Sequence, residues 1–452
     1  MAEASISRKL ARFVSHLTYG DLTNDQTYLI KTYFLDWLAS AFAGQTERPI
    51  QIILEVVRGL GGRAQSTIIP DSSKTISLLA AFVNGASSHM VEMDDLHRQS
   101  ILHPGSAVMS AVLATAEQQH RSGKELITSI AAGYEVAVRI AMAVGPSHYR
   151  YWHTTATCGT FGAAAGASRI FGLDEDKTTW ALGSAGTQAA GLWAFLLENA
   201  MSKQLHPGKA AMNGILAALL AQKGFTGAEK ILEGEKGFFQ ATSVDFDESQ
   251  CLKELGSVYL FERNSLKYHA SCGHTHAAID AVLSATGGRP MEAHLIKRVN
   301  LFVYPQAIDL LGKVMPETPY MAKFSLPFCV ATALRFGSAG LGDFTQSKIV
   351  DPDIYDLIEK IKIQGDAELG RNYPAQWPAR IEVKTNEGET LYGEVVYPKG
   401  DPENPLSEEE LSQKFLDLTS GILTSSRARM VMDEVMNLEE VSDIGELHMA
   451  LD

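Results

Sequence analysis

Apolar positions recur every three or four residues from residue 5 to about 260, and strand-like alternation is scarce there. That period predicts helix after helix. Ile6, Leu10, Phe13 and Leu17 make one face of an amphipathic first helix. Thr23-Asn24-Asp25 provides a cap for the next. Ser77–Ser87 and Gly105–Gln118 are apolar and alanine-rich, and a further helix starts at Gly123-Lys124-Glu125 and runs through Val136. In Gly159–Gly166 small residues lie three and four apart, which lets two helix backbones approach closely. Asp174 caps a helix from Lys177 to about Ala190, and others are predicted over Lys209–Lys223 and Ala228–Leu232.

The pattern changes near residue 290. Val299–Tyr304 alternates up to Pro305, Ile361–Ile363 is a short strand candidate, and Arg380–Thr385 with Leu391–Tyr397 reads as a hairpin turning at Glu387-Gly388. Helices intervene at Gly273–Thr286 and Pro327–Phe336. The proline-rich Pro398–Pro405 is an irregular link, after which Ser407-Glu408-Glu409-Glu410 opens helices that continue to the end. The expectation is a mainly α protein: a large all-α helical domain (1–265 and 402–452) and a smaller α+β lid domain (266–401).

A chain of 452 residues exceeds one ordinary core. Its formal charge of -14 argues against a nucleic-acid partner, which would need a basic face. Cys158, Cys251, Cys272 and Cys329 are widely spaced without a CxxC pair, the usage of a reduced, cytoplasmic protein. The first residues lack the apolar core of a signal peptide, and no run of 18 apolar residues predicts a membrane span. Gly59-Leu60-Gly61-Gly62 lacks the strand and helix context of a dinucleotide loop, and neither a P-loop nor a GxSxG elbow occurs.

Four segments could carry chemistry. Glu92–His97 with His103-Pro104-Gly105 puts three carboxylates and two imidazoles within a dozen residues, which suits proton transfer or metal binding. A His before Pro is held extended, so His103 projects from a fixed loop. His153 precedes the small-residue helix, where the dipole favours a neutral ring; packing on Trp152 is the structural alternative. Lys203 through Lys209 repeats the His-Pro-Gly feature at His206 and adds two lysines, as a base, a carboxylate anchor or merely a basic loop. Lys267–His276 holds a lysine and three histidines before a helix. There an anion site ranks above zinc on Cys272, His274 and His276, because paired-ligand spacing is missing. This inventory suits cofactor-free proton chemistry on an anionic small molecule.

At these segments, and at Ala322–Pro327 and Pro398–Pro405, the chain resembles the MmgE/PrpD family, which includes 2-methylcitrate dehydratase, cis-aconitate decarboxylase and iminodisuccinate epimerase. The likeness covers nearly the whole chain and is greatest to the iminodisuccinate epimerases. It implies a helical domain built from both chain ends, an α+β lid, a homodimer, a cleft between the domains, and neither metal nor organic cofactor. It places Asp94, Asp95, His97, His103, His153, Lys203 and Lys267 at that cleft, with His206 and His274 as weaker carry-overs. Departures are Glu92 for the usual Asp, Leu96 for the usual Thr, and His269-Ala270 for a proline-containing turn. Loss of the Leu96-position hydroxyl tilts the expectation away from the dehydratases and decarboxylases. The reading is then an isomerase: a cofactor-independent epimerase of iminodisuccinate-type polycarboxylates. Catalysis is expected from Lys203, His103, His153, Asp94 and Asp95. Substrate binding is expected from His97, Arg98, Lys267, His274 and His206. The alternative is a lyase, either a 2-methylcitrate-type dehydratase or a cis-aconitate decarboxylase.

Overall fold

The computed structural model describes residues 4–69, 71–198, 200–312 and 316–447; the expected helix continuation past 447 lies outside them. The protein is mainly α and divides into two compact units. Unit 1 comprises Met1–Met90, Asp94–Asn264 and Glu409–Asp452; unit 2 comprises Val91–Met93 and Ser265–Glu408.

Up to residue 264, the longer helices of unit 1 are α1 (Ile6–His16), α2 (Asn24–Gly44), α3 (Arg48–Leu60), α4 (Ser77–Ser88), α5 (Pro104–Gln118), α6 (Gly123–Ala143), α7 (Thr154–Ile170), α8 (Glu175–Gly186) and α9 (Leu205–Gln222). Local signals set their starts. The Thr23 and Ser122 side chains accept from the amides of Gln26 and Glu125 while those side chains reciprocate, and Asp174 accepts from the Lys177 amide. Helix α9 packs on α4, α5 and α7, and α5 packs on α4 and α7, with α6 against α7. The small-residue stripe makes this possible. A Cβ on Gly162 would lie 2.6 Å from Ala137 Cβ, and one on Gly214 would lie 2.6 Å from the Ala164 amide. Helix α6 is long and apolar enough to cross a membrane, yet 94% of its most apolar window is buried in the protein, the setting of a core helix.

Two sequence expectations change in unit 1. Residues 228–232 form turns, not a helix. The chain there passes against α8 so closely that a Cβ on Gly227 would lie 2.2 Å from the Trp180 carbonyl oxygen. Helix α9 begins at Leu205, so His206-Pro207-Gly208 is its first turn and not a loop before it. Proline is tolerated there because first-turn amides have no helical acceptor. A short hairpin, β1 (Ser66–Thr67) with β2 (Lys74–Thr75), also interrupts the helices.

Unit 2 is built on a four-stranded sheet, β4-β3-β5-β6, from β3 (Ile296–Val303), β4 (Ile361–Gly365), β5 (Ala379–Thr385) and β6 (Thr390–Val395). Strand β3 runs parallel to β4 and antiparallel to β5. Alternate residues of β5 are buried (Ala379, Ile381, Val383, Thr385), as the sequence alternation predicts. Helix α10 (His276–Thr286) packs on β5 and β6 and also meets α11 (Leu326–Phe336). It lies so near β6 that a Cβ on Gly393 would fall 2.0 Å from the Ala281 carbonyl oxygen.

Candidate active site

Unit 1 gathers four imidazoles from four places in its sequence. His89 caps the C-terminus of α4, His103 and His153 stand at the N-caps of α5 and α7, and His206 is in the first turn of α9. Ring centroids are 4.9 Å apart for His89 and His103, 5.5 Å for His89 and His153, and 5.2 Å for His153 and His206. His89 Nδ1 donates to Asp94 Oδ2 at 2.6 Å, and the same oxygen is 3.5 Å from His103 Nδ1. His103 Nδ1 also meets the Asp95 carbonyl oxygen at 2.7 Å. A carbonyl only accepts, so the proton sits on Nδ1 and Nε2 carries the lone pair of the neutral ring. His153 and His206 face each other through Nδ1 atoms 3.0 Å apart, so one donates and the other accepts. Burial first, then the neighbouring rings and Lys203, hold His153 well below the usual histidine range. Burial, with the charges of His89, Lys209 and Lys203, pushes His206 down to about 3. Lys203 is itself buried, in the turn Met201–Gln204.

The backbone around this cluster is tightly held. The amides of His97 and Leu102 each bond the other's carbonyl, closing a small loop in which Ile101 takes a left-handed φ of 49°. A β-branched residue there stores strain. The Thr154 hydroxyl holds the Ile101 carbonyl, and the His103 amide donates to Thr155 Oγ1 at 3.1 Å. The His153 amide bonds the Gly191 carbonyl at 2.9 Å, and the Trp193 ring lies 4.8 Å from His153.

Asp94 and Asp95 are both buried but have different surroundings. Asp95 Oδ2 accepts from Tyr134 Oη at 2.7 Å and from Asn264 Nδ2 at 2.6 Å, while Oδ1 accepts from the Gly105 amide at 3.0 Å. Burial pushes its carboxyl up to about 7 against the Tyr134 hydrogen bond, and the Asp94 charge adds to the rise. His97 takes a local part. Its Nδ1 meets Ser100 Oγ at 2.8 Å and caps the turn 98–100, on which Arg98 is buried. Burial, then the charges of Arg263 and Arg98, push His97 down to about 3.

In unit 2, Lys267 Nζ pairs with Glu92 Oε2 at 3.1 Å, both side chains buried, and Tyr320 Oη reaches Glu92 Oε1 at 3.4 Å. His274 bonds Tyr304 Oη through Nδ1 at 2.5 Å and stacks on Trp377 with centroids 3.9 Å apart. Burial, with the Lys267 charge, pushes it down to about 3. The irregular Pro398–Pro405 segment braces this region. The Leu266 amide bonds the Gly400 carbonyl at 2.9 Å, Ser265 Oγ donates to Asp401 at 2.6 Å, and the Lys399 amide donates to Asp280, which also holds His269. Gly400 has a φ of 94°, and a Cβ there would lie 1.8 Å from the Leu266 carbonyl oxygen, so glycine is required.

The metal reading changes place. Cys272, His274 and His276 form no set: His274 turns to Tyr304, and His276 Nε2 to the Ser271 carbonyl. Among the described residues, His89, Asp94 and His103 bring three possible ligand atoms within 4.8 Å. Two ligands with 2.0 Å bonds to one tetrahedral ion stand about 3.3 Å apart. The 2.6 Å His89–Asp94 contact is instead that of an N–H···O hydrogen bond. Sequence reasoning missed His89, which ends an apolar run and reads as core. Its signal was its place at a helix end, five residues before Asp94. Tyr134 and Asn264 carried no sequence signal.

Comparison with known proteins places this arrangement. The MmgE/PrpD N-terminal domain matches residues 8–250 and the MmgE/PrpD C-terminal domain matches residues 269–440. The chain belongs to the MmgE/PrpD family. Its relatives include the cis-aconitate decarboxylase-like protein oryM of Aspergillus oryzae, 27% identical over 98% of this chain and 97% of the relative. The cis-aconitate decarboxylase of Aspergillus terreus is 25% identical over 99% and 96% of the two chains. The human cis-aconitate decarboxylase is 27% identical over 97% and 93%. These names overturn the isomerase expectation, because a decarboxylase is a lyase. The tilt drawn from Leu96 therefore misled. That position is buried in this MmgE/PrpD chain, and a second departure, Glu92, forms the ion pair with Lys267.

Proposed function

We propose that this chain is a lyase that decarboxylates a tricarboxylate of the cis-aconitate class without a cofactor. The observation that carries the reading is the cluster of buried His89, His153 and His206 with the partly exposed His103, and Lys203 beside it. The relatives' names support it, since the likeness runs the length of both chains.

The chemistry asks for what this cluster supplies. The CH₂–COO⁻ carboxylate of cis-aconitate is β,γ to the double bond. When its C–C bond breaks, carbon dioxide leaves and the electron pair becomes a new terminal C=C. The former alkene carbon takes one proton, so one proton enters for each carbon dioxide released. We assign His103 as the donor in its doubly protonated form: Nδ1–H stays on the Asp95 carbonyl, and Nε2 gives up its proton and is left with the lone pair of the neutral ring. Lys203 supplies a fixed positive charge for a carboxylate, and Asp94 orients the His89 and His103 rings.

Proton NMR of the protein with cis-aconitate in D₂O tests this. The expected result is a pair of terminal-alkene signals, one solvent deuterium in the product methylene and released carbon dioxide. Deuterium entry with an unchanged carbon skeleton, or dehydration of a 2-hydroxytricarboxylate with cis-aconitate untouched, would overturn it.

A further inference from the structure

We propose that Tyr134 and Asn264 are positioning residues that act through Asp95 to hold His103 in its Nδ1–H tautomer. Every group involved lies in unit 1. The Asp95 carboxylate accepts from Tyr134 Oη at 2.7 Å, Asn264 Nδ2 at 2.6 Å and the Gly105 amide at 3.0 Å. The carbonyl of the same residue takes the His103 Nδ1 proton at 2.7 Å. The side chain is thus gripped from three directions, and its own peptide presents the acceptor that selects the ring nitrogen.

Two further observations point the same way. Asn264 Oδ1 is buried without a partner among the described residues, a cost that follows from turning Nδ2 toward Asp95. A Cβ on Gly105 would lie 2.7 Å from both Asp95 Oδ1 and Tyr134 Oη, so the third residue of the first His-Pro-Gly is the space that the clamp occupies. Tyr134 in turn stacks on Tyr33, with centroids 6.1 Å apart and planes within 8°. Asp95 is therefore a clamp, with three donors on its carboxylate, and not a proton-transfer group.

The tautomer can be read without any turnover. In protein labelled with ¹⁵N-histidine, long-range ¹H–¹⁵N spectra distinguish a protonated Nδ1 from a protonated Nε2, and the His103 signals are those missing from His103→Gln. The wild type is expected to show a single Nδ1–H form for the neutral ring. Tyr134→Phe and Asn264→Ser are expected to show mixed tautomers, with kcat lowered about 10- to 100-fold and KM within about twofold. A wild-type His103 protonated on Nε2 overturns the proposal outright, whatever the variants do. So does a Tyr134→Phe protein that keeps the Nδ1–H form and wild-type kcat. If circular dichroism shows Tyr134→Phe unfolded, Asn264→Ser decides by the same two criteria. The kcat arm rests on His103 as proton donor. If His103→Gln still turns over while Tyr134→Phe scrambles the tautomer, the assignment of His103 as proton donor fails and the clamp stands.

Discussion

The chain uses His-Pro-Gly twice, and the two copies fold differently. At residues 103–105 the histidine is the N-cap of α5, with φ -99° and ψ 85°, and the helix begins at the proline. At 206–208 the helix has already begun at Leu205, so His206 is itself helical. Both glycines are there for lack of a side chain, but against different neighbours. A Cβ on Gly105 would press on the Asp95 and Tyr134 side chains, whereas one on Gly208 would lie 2.3 Å from the Phe82 backbone oxygen of α4. One copy shapes a site, and the other lets two helices touch. The tripeptide fixes where a helix starts only to within a turn, and the surroundings decide what its histidine does.

Exchanging the histidines gives the largest predicted contrast. His103→Gln should lower kcat by about 10²- to 10⁴-fold, the range for loss of a general acid. His206→Gln, which keeps a polar partner for His153, should cost only about tenfold under the same steady-state assay. Equal losses would abolish the distinction. The glycines should split the other way. Gly208→Ala should destabilise the fold by about 3 kcal/mol in urea unfolding, because a backbone oxygen cannot move aside easily. Gly105→Ala should cost about 1 kcal/mol of stability and act mainly on kcat, because side chains there can shift. The remaining contrast is in acid. Below pH 6.5 the unfolded chain takes up a proton on His206 that the folded one refuses until about pH 3. Stability should thus fall as pH drops through that window, and His206→Gln should flatten the slope of melting temperature against pH there.

What the sequence made legible follows from this contrast. Helical period and capping residues located α4, α5 and α11 closely, and the starts of α2 and α6, because those signals are local; α6 runs on to Ala143, past the expected Val136. The alternation of β5 and the turn at Gly388 were equally local. His103, His153, Lys203 and His206 stood out as polar groups near helix starts, and all four lie in unit 1. His89 did not, because a histidine inside an apolar run looks like core until its partner Asp94 is seen. Tyr134 lies mid-helix and Asn264 is 169 residues from Asp95, so nothing near either one announced the contact. The false helix at 228–232 shows the converse failure. Five residues with helical composition were drawn into turns by close packing at Gly227. Leu96 shows that a single departure from a family pattern weighs less than likeness spread over whole chains.

The brace made by Pro398–Pro405 has a consequence for how the chain is organised. Residues 265 and 266 are tied to 401 and 400, so the long excursion of unit 2 starts and finishes at one stapled point. Such a segment has its two ends already joined, the arrangement under which a module can be spliced into or out of a host chain with little effect on its own fold. The same staple carries Lys267 one residue beyond the knot. Whatever loosens Gly400 or Asp401 would therefore reach both the closure of the module and the Lys267–Glu92 pair at once.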